Sequence, residues 1–143
     1  FRGGRLAGTA GWFDGLGMRP GHIHARFAAF GEIATGTCMT LGLLTSFGGM
    51  GLVGLMSVAV WTVHRGNGLL IFKDGWEYCL VLATIGVVLA TIGAGEWSLD
   101  NALGIDLNGP AGFAIALGGG LGLAAGVLAT SYRPPAREPV EAG

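Results

Sequence analysis

Residues 33–64 read IATGTCMTLGLLTSFGGMGLVGLMSVAVWTVH, a stretch of 32 residues without a Lys, Arg, Asp or Glu. Because about 20 apolar residues cross the hydrocarbon core of a bilayer, the stretch is too long for one span. Paired glycines beside hydroxyl residues favour a turn, and the sequence supplies them in Thr45-Ser46-Phe47-Gly48-Gly49. The stretch therefore predicts two membrane helices, over 26–45 and 50–65, that fold back on each other at residues 46–49.

Two further apolar stretches lie toward the C-terminus. Tyr78 to Gly95 carries no charged residue, and neither does Leu107 to Tyr132. The second stretch begins beside Pro110, a residue that suits the first turn of a helix. These stretches predict spans over 76–93 and 111–131. The whole sequence therefore predicts an all-α fold, a polytopic transmembrane helical bundle with four spans in this chain.

The composition excludes several classes of protein. Of the 143 residues, 51% are hydrophobic and 12% are charged, whereas a soluble domain carries about 25% charged residues. The 29 glycines suit helices that pack closely in lipid. The formal net charge of -1 provides no basic field for nucleic acid. The sequence therefore predicts a protein whose first partner is the lipid bilayer and which has no nucleic-acid partner.

The sequence indicates a single membrane domain over residues 1–132. Residues 1–25 are predicted to lie in the membrane interface, because this segment is interrupted by glycines and carries Trp12. Residues 105–132 add a last span with a stripe of glycines. The Pro-containing polar tail over 133–143 is predicted to be disordered.

The basic residues predict the orientation of the bundle. With four spans, both termini and the loop over 65–75 lie on one side, and that side holds every Lys and Arg of the chain: Arg2, Arg5, Arg19, Arg26, Arg65, Lys73, Arg133 and Arg137. The opposite side holds the turn at 46–49 and the segment 96–110, whose only charges are acidic. Since positive residues stay on the cytoplasmic side of a membrane, the basic loops and the C-terminus are predicted to be cytoplasmic.

Three ionisable residues lie near the basic end of the predicted spans: Glu32, His64 and Glu77. Such residues are costly in a membrane and are therefore candidates for a functional site. The loop over 65–75 brings His64 near Glu77, and the start of the first span adds Glu32, which predicts a pocket able to relay a proton. Aromatic side chains that can flank a planar ring are supplied by Trp61, Trp76 and Tyr78. A quinone head group fits such a pocket.

A structural role is the alternative for the same three residues. In this interpretation Glu32 bonds Arg26 or a hydroxyl such as that of Thr35 on its own helix. Glu77 pairs with Lys73 one turn back, and His64 extends into the lipid head groups. The sequence leaves both interpretations open.

Other chemistries lack their signatures. The sequence has no Walker A loop, no Cys-x-x-Cys and no His-Glu-x-x-His motif. His22 and His24 are two residues apart, but no carboxylate or thiol cluster accompanies them, so no metal site is predicted. Cys38 and Cys79 lie at different depths of the predicted spans, which argues against a redox pair. No cofactor is firmly implied by these residues.

Small residues recur at every fourth position of the last span: Ala114, Gly118, Gly122, Gly126 and Thr130. They line one face of a helix, and another backbone can approach such a face closely. This face is predicted to pack against a helix, either within this chain or in another subunit.

Four segments together resemble the DoxX family of small bacterial helical-bundle membrane proteins: Gly31-Glu32-Ile33 with Leu41 to Thr45, Val63 to Gly68, Asp74 to Tyr78, and Gly93 to Asp100. The resemblance covers about residues 1–104 and places DoxX-like spans in 26–104. It implies a bacterial cytoplasmic-membrane location and one further span before residue 1. Family members have been linked to thiosulfate:quinone oxidoreduction and to a mycobacterial complex that handles oxidative stress, and no single activity defines the family.

These observations lead to one interpretation and one alternative. The first is a DoxX-like integral subunit of a larger bacterial membrane complex, redox-linked and with a quinone-facing pocket, so that any enzyme activity is that of an oxidoreductase containing it. The alternative is a non-catalytic accessory subunit that stabilises a transporter or another membrane assembly through its glycine-rich last helix. A small transporter is less favoured, because the spans lack interrupted helices and midplane charges.

Overall fold

The computed structural model describes residues 5–134, which fold into helices and loops. The helices are α1 (Arg5–Gly15), α2 (Gly21–Leu41), α3 (Thr45–His64), α4 (Glu77–Ile92), α5 (Leu99–Leu103) and α6 (Gly109–Ser131). A short 3-10 turn, Ile71–Lys73, lies in the loop between α3 and α4. The predicted all-α fold is confirmed, since residues 5–134 contain no β-strand.

Two helices of the described chain are long and apolar enough to cross a membrane. At a rise of about 1.5 Å per residue, the 20 residues of α3 and the 23 residues of α6 extend about 30 and 35 Å. The apolar helix α4 has 16 residues and extends about 24 Å, less than the hydrocarbon thickness of about 30 Å. The spans predicted at 50–65 and 111–131 thus correspond to such helices, and those at 26–45 and 76–93 stay predictions.

The turn between α2 and α3 lies earlier in the sequence than predicted. It is formed by Gly42 to Leu44, where Gly42 and Leu44 have φ angles of 57° and 49°, and α3 begins at Thr45. The prediction of a turn at 46–49 was therefore wrong. Glycine takes a positive φ without strain, so Gly42 ends α2 in the left-handed conformation common after helices.

The glycine pair at 48–49 serves helix packing instead. A Cβ atom on Gly49 would lie 2.5 Å from the carbonyl oxygen of Gly86, which places the backbones of α3 and α4 in close contact. On the next face of α3, Val53 is almost fully buried beneath Gly120 of α6. The central helix α3 therefore packs against α2, α4 and α6, while α1 packs against α2.

Hydrogen bonds join separate segments at one end of the bundle. The Arg19 N–H donates to Ser131 O over 3.0 Å, and the Arg133 N–H donates to Gly17 O over 2.7 Å. Arg65 reaches the same end, where its guanidinium lies 3.5 Å from the Tyr132 hydroxyl. Described basic residues from three separate segments are thus neighbours, in keeping with the predicted partition of charge. The side of the membrane on which they lie stays a prediction, and the predicted disorder of the tail falls on residues 135–143, outside the described residues.

Candidate functional site

A cavity of about 480 Å³ opens between α3, α4 and α6. Its walls are Val53, Met56, Ser57, Val60, Trp61, Trp76, Cys79, Leu80, Ala83, Thr84, Val87, Val88, Leu117 and Leu121. We call this cavity the apolar groove. Its volume is in the range of ligand sites in proteins, about 300–1,000 Å³.

Both π-helical turns found in residues 5–134 border the apolar groove. The last turn of α3, Val60–His64, is π-helical, and so is Ala114–Gly119 within α6. Val60 and Trp61 from the first turn and Leu117 from the second lie in the groove wall. Single π-helical turns occur often at functional sites, because the extra residue redirects the side chains of a helix. They mark the groove as the candidate site, and nothing in the sequence revealed them.

The two tryptophans predicted to flank a planar ring both line the apolar groove. Trp61 is 47% exposed, and the guanidinium carbon of Arg65 lies 4.4 Å from the centre of its ring. This cation–π contact holds Trp61 at the basic end of the bundle. The groove is thus bounded by aromatic rings at the basic end of the bundle.

Two polar side chains interrupt the apolar walls. The Thr84 hydroxyl donates to Leu80 O over 2.8 Å, so its proton is used within α4. The Ser57 hydroxyl makes no hydrogen bond within residues 5–134. Ser57 is therefore able to donate to a carbonyl oxygen of a ligand in the groove.

His64 and Glu77 brace the loop that joins α3 to α4. His64 Nδ1 lies 2.6 Å from Asp74 O, and because a carbonyl oxygen only accepts, Nδ1 is the donor. A Glu77 carboxylate oxygen accepts the Ile71 N–H over 3.1 Å. The structure brings both residues to the end of the groove marked by Trp76, although neither lies in its wall. The structural interpretation predicted a different arrangement, with Glu77 paired to Lys73 and His64 extended into the lipid head groups. In the structure both side chains bond the backbone of the loop instead.

Glu32 and Tyr78 lie apart from the apolar groove. Glu32 is exposed on α2 and makes no hydrogen bond or ion pair within residues 5–134, so neither Arg26 nor Thr35 is its partner. Tyr78 is 57% exposed on α4 and is not in the groove wall. Of the six predicted pocket residues, the groove itself contains Trp61 and Trp76.

Sequence reasoning missed Asp100, the acidic residue that accepts the most side-chain hydrogen bonds within residues 5–134. Its carboxylate accepts the Leu44 N–H over 2.7 Å, the Thr45 N–H over 2.9 Å and the Thr45 hydroxyl over 2.7 Å. Burial of Asp100 opposes its ionisation, but these hydrogen bonds outweigh burial and lower the pKa of the carboxyl below its ordinary value. Asp100 thus caps the first turn of α3 with a negative charge, which the helix dipole favours.

The sequence around Asp100 held one usable signal. Ser98 lies three residues before Asn101, and a Ser at this spacing is a typical N-cap of a helix. The structure contains this cap: the Asn101 N–H donates to the Ser98 hydroxyl over 3.1 Å. The cap predicts α5 but not its contact with residues 44–45, which are 55 or 56 positions away.

The small-residue face of α6 points away from the rest of the chain. Gly118, Gly122 and Gly126 are exposed, and a Cβ atom on any of them would meet nothing within 4 Å. The exposed positions Ala114 and Thr130 extend the same face. We call these five residues the small-residue face. Packing against a helix of this chain was one of the two predicted uses of this face. In the structure the helix contacts of α6 within the chain are made by other residues, such as Gly120.

The described residues contain no group of three or more His, Cys, Asp or Glu side chains arranged to hold a metal ion. His22 is exposed. The His24 ring lies 6.3 Å from the ring of Phe13, between α1 and α2. His22 therefore lies on the surface, and His24 lies in the contact between α1 and α2.

The chain is similar to a bacterial protein and to a protein-family model. An uncharacterized protein of Haemophilus influenzae is 30% identical over 84 residues, which make up 59% of this chain and 56% of that protein. The match thus spans little more than half of the relative's length, and no solved structure matches the chain. The DoxX family model matches residues 1–65. With the two long apolar helices, this match indicates a small membrane protein, and the resemblance to the DoxX family is confirmed over residues 1–65.

Proposed function

We propose that the chain is the integral membrane subunit of a redox-linked bacterial complex and that its apolar groove binds a quinone. The observation that carries the proposal is the groove itself, about 480 Å³ in volume, with Trp61 and Trp76 in its wall. A quinone has a planar ring and an isoprenoid tail, so it needs aromatic surfaces at one end of a site and aliphatic surfaces along the rest.

The residues of the groove meet these needs in order along the bundle. Trp61 and Trp76 offer aromatic surfaces for the ring, and planar rings stack favourably on such faces. Leu117, Leu121 and Val88 supply aliphatic contact for a tail. A quinone carbonyl can accept the unused proton of the Ser57 hydroxyl.

His64 and Glu77 are the candidates for carrying protons to a quinone in the groove. His64 and Glu77 lie at its basic end but are hydrogen-bonded to the backbone of the 65–76 loop. A proton path through them requires that one of these bonds be exchanged. Glu32 has no position in such a path, because it is exposed on α2 outside the groove. Electron transfer to the quinone would come from a partner subunit of the complex.

Quinone content of the purified protein tests this proposal. The full-length protein is extracted into nanodiscs with its surrounding lipids, and mass spectrometry measures quinone per protein against quinone in the bulk membrane. The proposal predicts enrichment in the wild type. It also predicts recovery of a flavoprotein or another redox subunit among the co-purifying proteins. Quinone at the bulk ratio would refute the binding site.

Two variants make the measurement specific for the groove. Ala83→Phe places a ring into the groove wall and is expected to abolish the enrichment. Ala34→Phe makes the same change at an exposed position of α2 outside the groove and is expected to keep it. Equal quinone content in the two variants would show that the ligand binds elsewhere.

The small-residue face favours a second function, that of an accessory subunit docked through α6. The observation is that the face is exposed and open along four helical turns while its opposite face packs on α3. Gly122→Leu fills the open face, and Gly36→Leu makes the same change at an open position on α2. Loss of a co-purifying transporter subunit in the first variant alone, without quinone enrichment in the wild type, would favour this function.

A further inference from the structure

The loop between α3 and α4 exposes four consecutive apolar side chains. Leu69, Leu70, Ile71 and Phe72 are 45%, 43%, 56% and 76% exposed. We call these four residues the apolar loop. A contiguous exposed patch of this kind marks a surface that contacts a membrane or another protein.

The apolar loop is ordered by its backbone hydrogen bonds. The Gly75 N–H donates to Leu70 O over 3.1 Å, and the Glu77 N–H donates to Leu69 O over 2.8 Å. A Cβ atom on Gly75 would lie 2.5 Å from Leu69 O, so the two arms of the loop are in close contact. The exposure of the apolar side chains is therefore built into the fold of the loop.

His64 and Glu77 hold the apolar loop in place. Glu77 accepts the Ile71 N–H, and His64 bonds the carbonyl oxygen of Asp74. The Asn67 side chain donates to the same carbonyl oxygen over 3.2 Å. Polar side chains at the ends of both helices thus present four apolar side chains outward.

The position and the charge of the apolar loop identify its contact surface. The loop follows the end of α3, a helix long enough to span, so it lies at the level of the membrane surface. Arg65 and Lys73 flank it and are exposed, and Asp74 is the one acid between them and α4. Apolar side chains beside cations are the composition of segments that lie in the interface of an anionic bilayer.

The exposed surface of α4 continues the apolar loop into the hydrocarbon. Leu80, Val81 and Ile85 are exposed on this helix. We propose that the apolar loop inserts into the head-group region of the bilayer that α3 crosses, with Arg65 and Lys73 binding the phosphates of anionic lipids. This anchor is independent of quinone binding in the apolar groove.

Spin labels in the full-length protein measure the depth of the apolar loop. The chain is prepared with Cys38→Ala and Cys79→Ala, labelled at Phe72→Cys, and placed in nanodiscs of phosphatidylcholine with phosphatidylglycerol. Power saturation with oxygen and a water-soluble nickel chelate then reports depth. The proposal predicts a label about 5 Å or more below the phosphates. A label accessible to nickel in the purified protein would overturn it and indicate a protein-docking surface.

Matched variants control for folding and for charge. A label at Gly66→Cys, an exposed position on the same loop, is expected to stay in water. Leu70→Cys provides a second insertion site if the Phe72 variant does not fold. Replacing phosphatidylglycerol by phosphatidylcholine should make the Phe72 label shallower, and Lys73→Gln should reduce that lipid dependence. A depth at Phe72 equal to that at Gly66 would contradict the anchor.

Discussion

Replacement of Asp100 by asparagine tests how the acidic end of the bundle is held together. The residue is 9% exposed, and its carboxylate accepts three hydrogen bonds from Leu44 and Thr45. The substitution Asp100→Asn keeps the shape of the side chain but removes the charge and one accepting oxygen. A hydrogen bond to a charged group contributes about 1 kcal/mol more than a neutral one. Loss of the charge alone costs three bonds about 3 kcal/mol, and the smaller burial penalty of the neutral amide offsets roughly 1 kcal/mol of this loss. The bond to the replaced oxygen is lost completely, so about 2 kcal/mol is the minimum.

The expected result is a decrease of at least about 2 kcal/mol in the free energy of unfolding, which lowers the melting temperature by at least roughly 4 °C. Circular dichroism of the protein in a mild detergent measures it. Asp106→Asn is the matched control, because Asp106 is exposed in the same connection between α4 and α6. Its expected change is within about 0.5 kcal/mol. Equal melting temperatures for the two variants would refute the assigned role of Asp100.

The melting temperatures of the wild type and of Asp100→Asn, compared across pH, check the sign of the charge effect. Hydrogen bonds from Thr45 and Leu44 outweigh burial and lower the pKa of Asp100 in the folded protein. A lowered pKa means that the stabilisation is fully present above the ordinary carboxyl pKa of about 4. It is lost as the pH falls through the folded pKa. The difference in melting temperature between wild type and Asp100→Asn should therefore shrink in acid, and a difference that grows would contradict the argument.

Three further predictions follow from the packing. Gly120→Leu should lower the melting temperature by several degrees, because its Cβ would lie 2.6 Å from Val53 Cβ, whereas Gly118→Leu, at an open position, should leave it unchanged. Gly75→Ala should speed amide exchange in residues 65–76, measured by hydrogen–deuterium exchange, because a Cβ there collides with Leu69. Glu32→Gln should leave quinone content and melting temperature unchanged, since Glu32 is exposed outside the groove. A decrease in either quantity would show a role for Glu32 that its exposed position does not explain.

Apolar stretches were enough to predict the two helices that are long enough to cross a membrane. The absence of charge over 33–64 and 107–132 located α3 and α6, because a helix in lipid needs little more than length and hydrophobicity. The turn between α2 and α3 was misplaced by a few residues. Gly48-Gly49 looked like a break, but glycine pairs also permit close helix contact, and the sequence alone does not distinguish the two uses.

The candidate site was only partly predictable, because it depends on contacts between distant segments. Trp61 and Trp76 were predicted from their positions beside the loop, and in the structure both line the groove. The π-helical turns depend on tertiary packing and have no sequence signature. Asp100 looked like a surface acid, and its role emerges only when α5 meets the start of α3. Glu32 was grouped with His64 by depth along the bundle, but depth does not determine the face of a helix.

Fluorescence quenching in the apolar groove tests quinone binding most directly. The chain has four tryptophans, and replacing Trp12 and Trp97 by Phe leaves those in the groove wall, Trp61 and Trp76. A short-tailed benzoquinone is titrated into this full-length variant in nanodiscs. The account predicts saturable quenching and a Kd raised at least about tenfold, or about 1.4 kcal/mol, by the additional substitution Ala83→Phe. Quenching that rises linearly with quinone and is unchanged by Ala83→Phe would contradict it.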